Sequence, residues 1–240
     1  MKRVGHKGAD LIAPGNTAAS FDAALAHGVD MIEFDVLPEA YKDPGGSRLV
    51  LSHDYTHDVT EAPSLEEGLQ HLAQPAFDQV TFDVDLKIPG YEDRVVEALE
   101  AAGMLDRCLI TTMYVESLRR IREIDPAVRI GWSVPKARRD YTLSPVWKVP
   151  TAGAIKLGQA VLPRRVKTEL EAGRCDAIMC FWRLVTPRLV QAVADAGGEL
   201  YVWTVDDARR IERFRKLGVT GVITNDPRLF DQVMSQTAAL

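Results

Sequence analysis

Residues 80–87 read Val-Thr-Phe-Asp-Val-Asp-Leu-Lys, and this octet limits the possible folds more than any other stretch. Side chains of an extended strand alternate between two faces. Val80, Phe82, Val84 and Leu86 then share one face, and Thr81, Asp83, Asp85 and Lys87 share the other. A parallel sheet normally buries both faces and reads as apolar throughout. One wholly polar face needs a reason, and in a closed barrel that reason is most often an active site at the C-terminal ends of the strands.

The stretch Gly28–Val36 has the same character. Ile32, Phe34 and Val36 fall on one face, and Met31, Glu33 and Asp35 on the other. Two carboxylates side by side in a crowded interior must share a proton or meet a cation. Oxygen-only ligands suit a hard divalent metal. A salt bridge to a nearby Lys or Arg satisfies the same triplet.

Strand and helix patterns alternate along the rest of the chain. The pattern predicts strands at 3–6, 28–36, 80–87, 108–113, 128–134, 177–181, 200–205 and 219–224. Helices are expected after Thr17, over Leu65–Leu72 with Ser64 as cap and Glu67 completing a capping box, and over 94–102, 115–123, 167–172, 187–196, 208–217 and 230–234. Arg48–Ser52 reads as the return of a hairpin after the Asp43-Pro44-Gly45-Gly46 turn. Pro145, Pro150 and Pro163 interrupt residues 136–172, where no long element is expected. Eight strands alternating with helices in 240 residues give an α/β fold of the (β/α)8 TIM type, one domain over 1–240. No GxGxxG follows a strand, which argues against a doubly wound dinucleotide-binding sheet.

A formal net charge of -5 argues against general nucleic-acid binding. No run approaches the roughly 20 apolar residues of a bilayer span. Met1-Lys2-Arg3 leads into Val4-Gly5-His6 rather than an apolar run, so no secretory leader is read. Three cysteines without CxxC spacing suit buried thiols in a reducing compartment. The expectation is a cytoplasmic chain.

The strand ends gather chemistry: His6 and Lys7 on the first, Glu33 and Asp35 on the second, His53 and Asp54 on its return, and Asp85 and Lys87 on the third. Trp203, Thr204, Asn225 and Asp226 end the last two. Each has a structural explanation taken singly; together they suit one reaction. Glu33, Asp35 and Asp85 can hold one divalent cation. The cation and two lysines would neutralise a phosphate. Two histidines can exchange protons with the attacking and leaving oxygens. That combination is phosphodiester cleavage.

These residues resemble the glycerophosphodiester phosphodiesterase family. The resemblance rests on His6-Lys7-Gly8, Ala13-Pro14-Gly15-Asn16-Thr17 with Ser20-Phe21, Gly28–Val36, Val50-Leu51-Ser52-His53-Asp54, Asp85-Leu86-Lys87, Val202–Asp206 and Gly218–Thr224. It implies a TIM-type barrel that hydrolyses glycerophosphodiesters to glycerol 3-phosphate and an alcohol. It implies His6 and His53 as the acid/base pair, and Glu33, Asp35 and Asp85 as ligands of Mg²⁺ or Ca²⁺. Lys7 and Lys87 become substrate contacts, and Trp203 a wall of the pocket. A lysophospholipase D-like activity on lysophospholipids shares the motifs. A metal-dependent sugar isomerase barrel and a non-catalytic phosphodiester-binding barrel are the more distant alternatives.

The chain departs from the family pattern at several positions. Lys7 replaces an arginine and offers a point charge in place of a bidentate fork. Gly15 stands where a glutamate is usual, which removes one carboxylate. Asp85 stands for a longer glutamate, and Asp206 and Asn225 stand where Asn and Asp are common. Residues 55–63 are short where larger relatives insert a capping domain, so no such insertion is expected. The resulting expectation is a more open mouth with a different alcohol specificity. His53 and His57 have the spacing of a zinc helix but lie after a strand and lack the HExxH glutamate. The basic clusters Lys136, Arg138, Arg139 and Arg164, Arg165, Lys167 read as solvated surface.

Overall fold

The fold is described from a computed structural model covering residues 1–56, 58–136 and 148–238. His57, Arg138 and Arg139 lie outside the described residues, as do residues 137–147 of the 136–172 segment on which the open-mouth expectation turns.

The strands are β1 (Lys2–Gly5), β2 (Met31–Pro38), β3 (Leu49–Leu51), β4 (Thr81–Leu86), β5 (Cys108–Thr112), β6 (Arg129–Val134), β7 (Ala177–Phe181), β8 (Glu199–Trp203) and β9 (Gly221–Thr224). Eight of them run parallel in the order β1-β2-β4-β5-β6-β7-β8-β9, and β9 pairs with β1 to close a barrel. β3 lies antiparallel on the far end of β2, with Val36 opposite Leu51. It is the expected hairpin return and stays outside the closed ring.

The alternation in the sequence becomes two shells. Val4, Met31, Leu109, Ala177, Met179, Tyr201 and Ile223 fill the barrel interior. Ile32, Phe34, Val36, Phe82, Val84 and Leu86 point outward into the layer between sheet and helices. Each large side chain removed from water there contributes about 1.5–3 kcal/mol. Lys2 donates to Tyr201, Tyr201 donates to Glu199 at 2.8 Å, and Arg129 pairs with Glu199, so polar side chains meet where the strands begin.

The helices are α1 (Ala18–Ala26), α2 (Leu65–Leu72), α3 (Glu92–Ala101), α4 (Val115–Ile124), α5 (Lys148–Glu171), α6 (Pro187–Asp195), α7 (Ala208–Leu217) and α8 (Arg228–Ala238). The Ser64–Glu67 capping box is present, and Thr17 and Ser20 form a second one. Gly28 adopts φ +63° just past α1, which turns the chain into β2.

The main difference from expectation is α5, a helix of 24 residues where only 167–172 reads as helical. Pro163 sits inside it. A proline in a helix interior costs roughly 3 kcal/mol. Leu162, Val166 and Leu170, spaced by four, are buried in the outer core and offset that cost. Proline punctuation therefore misleads here because packing decides the element. Among the described residues no helix is long and apolar enough to cross a membrane.

Candidate active site

The C-terminal end of the barrel collects the residues singled out in the sequence. Glu33 and Asp35 on β2 lie in register with Asp83 and Asp85 on β4, all facing inward. One oxygen each from Glu33, Asp35 and Asp85 falls within 4.8 Å of the others. Lys87 follows β4 with its backbone N–H on the Tyr91 hydroxyl at 2.9 Å, and that hydroxyl donates to the Val36 carbonyl at 2.6 Å. The end of β4 is thereby tied to β2 and the lysine is turned inward. Its ammonium contacts Asp35 and lies 2.5 Å from Asp85.

Two histidines flank the carboxylates. His6 follows β1, its Nδ1 2.5 Å from Asn225 Oδ1 and its Nε2 3.8 Å from Glu33 Oε2. His53 follows β3 with Nδ1 3.2 Å from Asp35 Oδ2 and a side chain 51% exposed. Asp54, the neighbour of His53, instead accepts from Thr56.

The loop after β1 is wound tightly around this cluster. Lys7 and Asn16 adopt φ +49° and +60°. The Lys7 backbone N–H donates to Glu33 Oε2 at 2.7 Å. Asn16 donates to Asp35 Oδ2 at 2.9 Å and accepts from the Asp35 N–H at 3.0 Å. The Lys7 side chain turns to Asp10 at 2.9 Å, so its ammonium is not among the carboxylates of β2 and β4. Asp10 also accepts from the Gly15 N–H at 3.1 Å. A Cβ on Gly15 would lie 2.5 Å from Asp10 Oδ1. Asp10 thus occupies the space that a side chain at position 15 would need.

Trp203 ends β8 against the interior cluster, its ring 5.5 Å from that of Phe181 on the neighbouring strand. The two rings form an aromatic stretch of the lumen wall.

Burial dominates the electrostatics. It pushes Glu33 well above the ordinary carboxyl range, and the nearby Asp35 charge adds to the rise. Burial also raises Asp83 and Asp85, with Lys87 opposing it in both. Asp35 goes the other way: burial would raise it, but Lys87 and the His53 hydrogen bond hold it well below the usual range. Burial would lower Lys87, and Asp35 and Asp85 outweigh it, so the ammonium is held charged. Burial lowers His6 to about 4, which keeps the ring neutral.

A divalent cation fits this site. Four inward carboxylates face one buried ammonium, a deficit of positive charge in a low-dielectric interior. Ligand oxygens at about 2.0–2.6 Å from an Mg²⁺ or Ca²⁺ ion can stand up to about 4–5 Å apart. The oxygens of Glu33, Asp35 and Asp85 meet that condition.

Sequence reasoning assigns no role to Asp10, Asn16, Asp83 or the Thr111 hydroxyl, which donates to Asp83 at 2.6 Å. Asn16 carries a signal, since asparagine tolerates the left-handed region better than most residues. Asp10 and Thr111 read as ordinary loop and strand residues.

Comparison with known proteins gives the family and the fold. The model of the glycerophosphoryl diester phosphodiesterase family matches residues 6–64 and 66–229. The chain belongs to this family. A glycerophosphodiester phosphodiesterase of Caldanaerobacter subterraneus is 26% identical over 257 residues, 93% of each chain. A glycerophosphodiester phosphodiesterase of Parabacteroides distasonis has the same fold, with TM-score 0.74, 16% identity and coverage of 99% of this chain and 98% of that one. An Oleispira antarctica phosphodiesterase, solved with its product sn-glycerol-3-phosphate, has TM-score 0.73 and 17% identity over 98% of this chain and 97% of that one. Membership in the glycerophosphoryl diester phosphodiesterase family makes the chain a phosphoric diester hydrolase and sets aside the sugar isomerase and the non-catalytic barrel.

Proposed function

We propose that the protein hydrolyses glycerophosphodiesters to glycerol 3-phosphate and an alcohol, with Glu33, Asp35 and Asp85 holding one Mg²⁺ or Ca²⁺ and His6 and His53 acting as the acid/base pair. The observation that carries this reading is the meeting of three carboxylate oxygens within 4.8 Å between two histidines at the strand ends. The bound cation supplies Lewis-acid neutralisation of the phosphate.

The remaining work falls to side chains. Lys87, held between Asp35 and Asp85, would supply a positive charge to a phosphate oxygen. One histidine takes a proton from the attacking oxygen as its bond to phosphorus forms. The other gives a proton to the alcohol oxygen as the second bond breaks. Phe181 and Trp203 wall one side of the alcohol's path. The Lys7 ammonium, paired with Asp10, reaches substrate only by giving up that pair.

The whole chain acts as one unit without a capping insertion, a reading supported by the short path through residues 52–64 between β3 and α2. A cytoplasmic setting is part of the proposal, and the buried, unpaired Cys108, Cys175 and Cys180 support it.

The test is turnover of glycerophosphocholine and glycerophosphoethanolamine by chelator-stripped protein, with Mg²⁺, Ca²⁺ or Mn²⁺ restored. Metal-dependent release of glycerol 3-phosphate, lost in His6→Ala and His53→Ala, is the expected result. Release that survives both substitutions would remove the histidines from the mechanism.

A further inference from the structure

Behind His6 stands a chain of contacts whose polarity is fixed from its far end. Asp206, just past β8, accepts at Oδ1 from the Thr224 hydroxyl at 2.9 Å and from the Asn225 backbone N–H at 2.8 Å. Its Oδ2 lies 2.6 Å from the Asn225 side-chain nitrogen. An ionised carboxylate only accepts hydrogen bonds, so the Asn225 amide must turn its NH₂ toward Asp206. The amide oxygen then faces His6 Nδ1 at 2.5 Å. An amide oxygen also only accepts, so Nδ1 must carry the ring hydrogen. The Asn225 carbonyl holds the Leu11 N–H at 3.0 Å, which ties the same residue to the loop after β1.

On the phosphodiesterase reading, we propose that Asp206 and Asn225 are positioning residues that lock His6 as its Nδ1–H tautomer, so that His6 Nε2 is the proton acceptor of the reaction. Among the described residues Nε2 makes no hydrogen bond, and Glu33 Oε2 stands 3.8 Å from it. Its lone pair faces the site. The attacking O–H proton passes to Nε2 as the oxygen–phosphorus bond forms. Donation to the departing alcohol oxygen, as its bond to phosphorus breaks, is left to His53. A neutral imidazole has one donor and one acceptor nitrogen, and what binds the first decides what the second can do.

The Asn225 backbone N–H cannot be reversed, so it makes Asp206→Asn informative. It keeps an oxygen on the Oδ1 side and places the new NH₂ against the Asn225 amide. Asn225 must then flip, present its NH₂ to His6 Nδ1 and drive the ring hydrogen to Nε2. Adding Asn225→Asp restores the order, because that carboxylate accepts from both neighbours.

The experiment records two-bond ¹⁵N–¹H histidine correlations on the metal-stripped full chain at neutral pH, with the His6 signals assigned by their loss in His6→Gln. Turnover of glycerophosphocholine is measured alongside with Mg²⁺ or Ca²⁺ restored. Expected are the Nδ1–H tautomer in the wild type and in the Asp206→Asn/Asn225→Asp double variant, and the Nε2–H tautomer in Asp206→Asn. Loss of a correctly placed base lowers kcat by about 100-fold or more, with KM little changed, and the double variant recovers most of it. Retention of Nδ1–H in Asp206→Asn would overturn the lock, and so would a double variant as impaired as the single one. A tautomer that moves while kcat stays put would overturn the assignment of Nε2 as acceptor. The tautomers are read without substrate, so a wild type that turns over no glycerophosphodiester overturns the functional reading separately.

Discussion

Asn16 and Asp35 exchange two hydrogen bonds, the Asn16 NH₂ donating to Asp35 Oδ2 at 2.9 Å and the Asp35 backbone N–H donating to Asn16 Oδ1 at 3.0 Å. Both residues are buried. The pair fixes the β1 loop to the strand that carries the most strongly ionised carboxylate of the site. Asn16→Ala leaves the Asp35 N–H without a partner and weakens the hold on its carboxylate. Each unmet buried group costs about 1–3 kcal/mol. The expected outcome is a loss of about 2–3 kcal/mol in urea unfolding together with weaker metal binding by isothermal titration. Wild-type stability in Asn16→Ala would mean that the loop is held by its other contacts.

Lys87 bridges Asp35 and Asp85 where a cation of the proposed kind would otherwise carry the balancing charge. Lys87→Met leaves buried carboxylates unbalanced in the metal-free protein, and breaking a buried pair from one side costs about 3–5 kcal/mol. Added Ca²⁺ or Mg²⁺ makes good more of that deficit in the variant than in the wild type. Thermal unfolding with chelator and with metal should show a larger metal-induced rise in Tm for Lys87→Met. Equal rises would show that the ammonium and the cation do not compete for the same oxygens.

Gly15 is closed to side chains by its surroundings. A Cβ there would lie 2.5 Å from Asp10 Oδ1 and 2.9 Å from Lys7 Cβ. Gly15→Ala therefore pushes Asp10 off the Gly15 N–H and strains the loop, at about 1–3 kcal/mol. Asp10→Gly in the same chain vacates the space, so the double variant should regain part of the loss in chemical denaturation. A double variant worse than either single one would place the constraint on the Lys7 side chain at Cβ instead.

The barrel was legible because its strands keep two incompatible surfaces apart: Phe82, Val84 and Leu86 had to face the helices once Asp83 and Asp85 faced the lumen. The carboxylate cluster was legible for the same reason, as polar residues where apolar ones are the rule. α5 was not, because a buried stripe of Leu162, Val166 and Leu170 outweighs the proline that seems to end it. The pairing of the site's supports was hidden, although Asn225 stood out at a strand end and Asp206 and Asn225 as departures from the family pattern. Asp10, Asn16, Asp206 and Asn225 sit in loops, where Asp and Asn are turn-forming residues by default. Their partners lie up to 219 positions away, as with His6 and Asn225, and only closure of β9 onto β1 brings these two together.

Burial lowers His6 to about 4, from an ordinary value of 6.5. Above about pH 6.5 the ring is neutral in the folded and unfolded chains alike, and His6 adds no pH dependence. Between 6.5 and 4 the unfolded chain takes up a proton that the folded chain refuses, so stability falls as the pH falls. Below 4 both states are protonated and the loss levels off. At 1.36 kcal/mol per pKa unit the full effect is about 3 kcal/mol. Glu33 works in the opposite sense over a different range. Its raised value makes the folded chain keep a proton that the unfolded chain releases, so it lowers stability as the pH rises above the ordinary carboxyl range. The two are separated by comparing the wild type with His6→Gln in chelator across pH 4–7. The difference in unfolding free energy should narrow or reverse by about 3 kcal/mol toward pH 4, because only the wild type carries the imidazole. Parallel curves for the two proteins would show that the folded His6 ring takes up its proton as readily as the unfolded one.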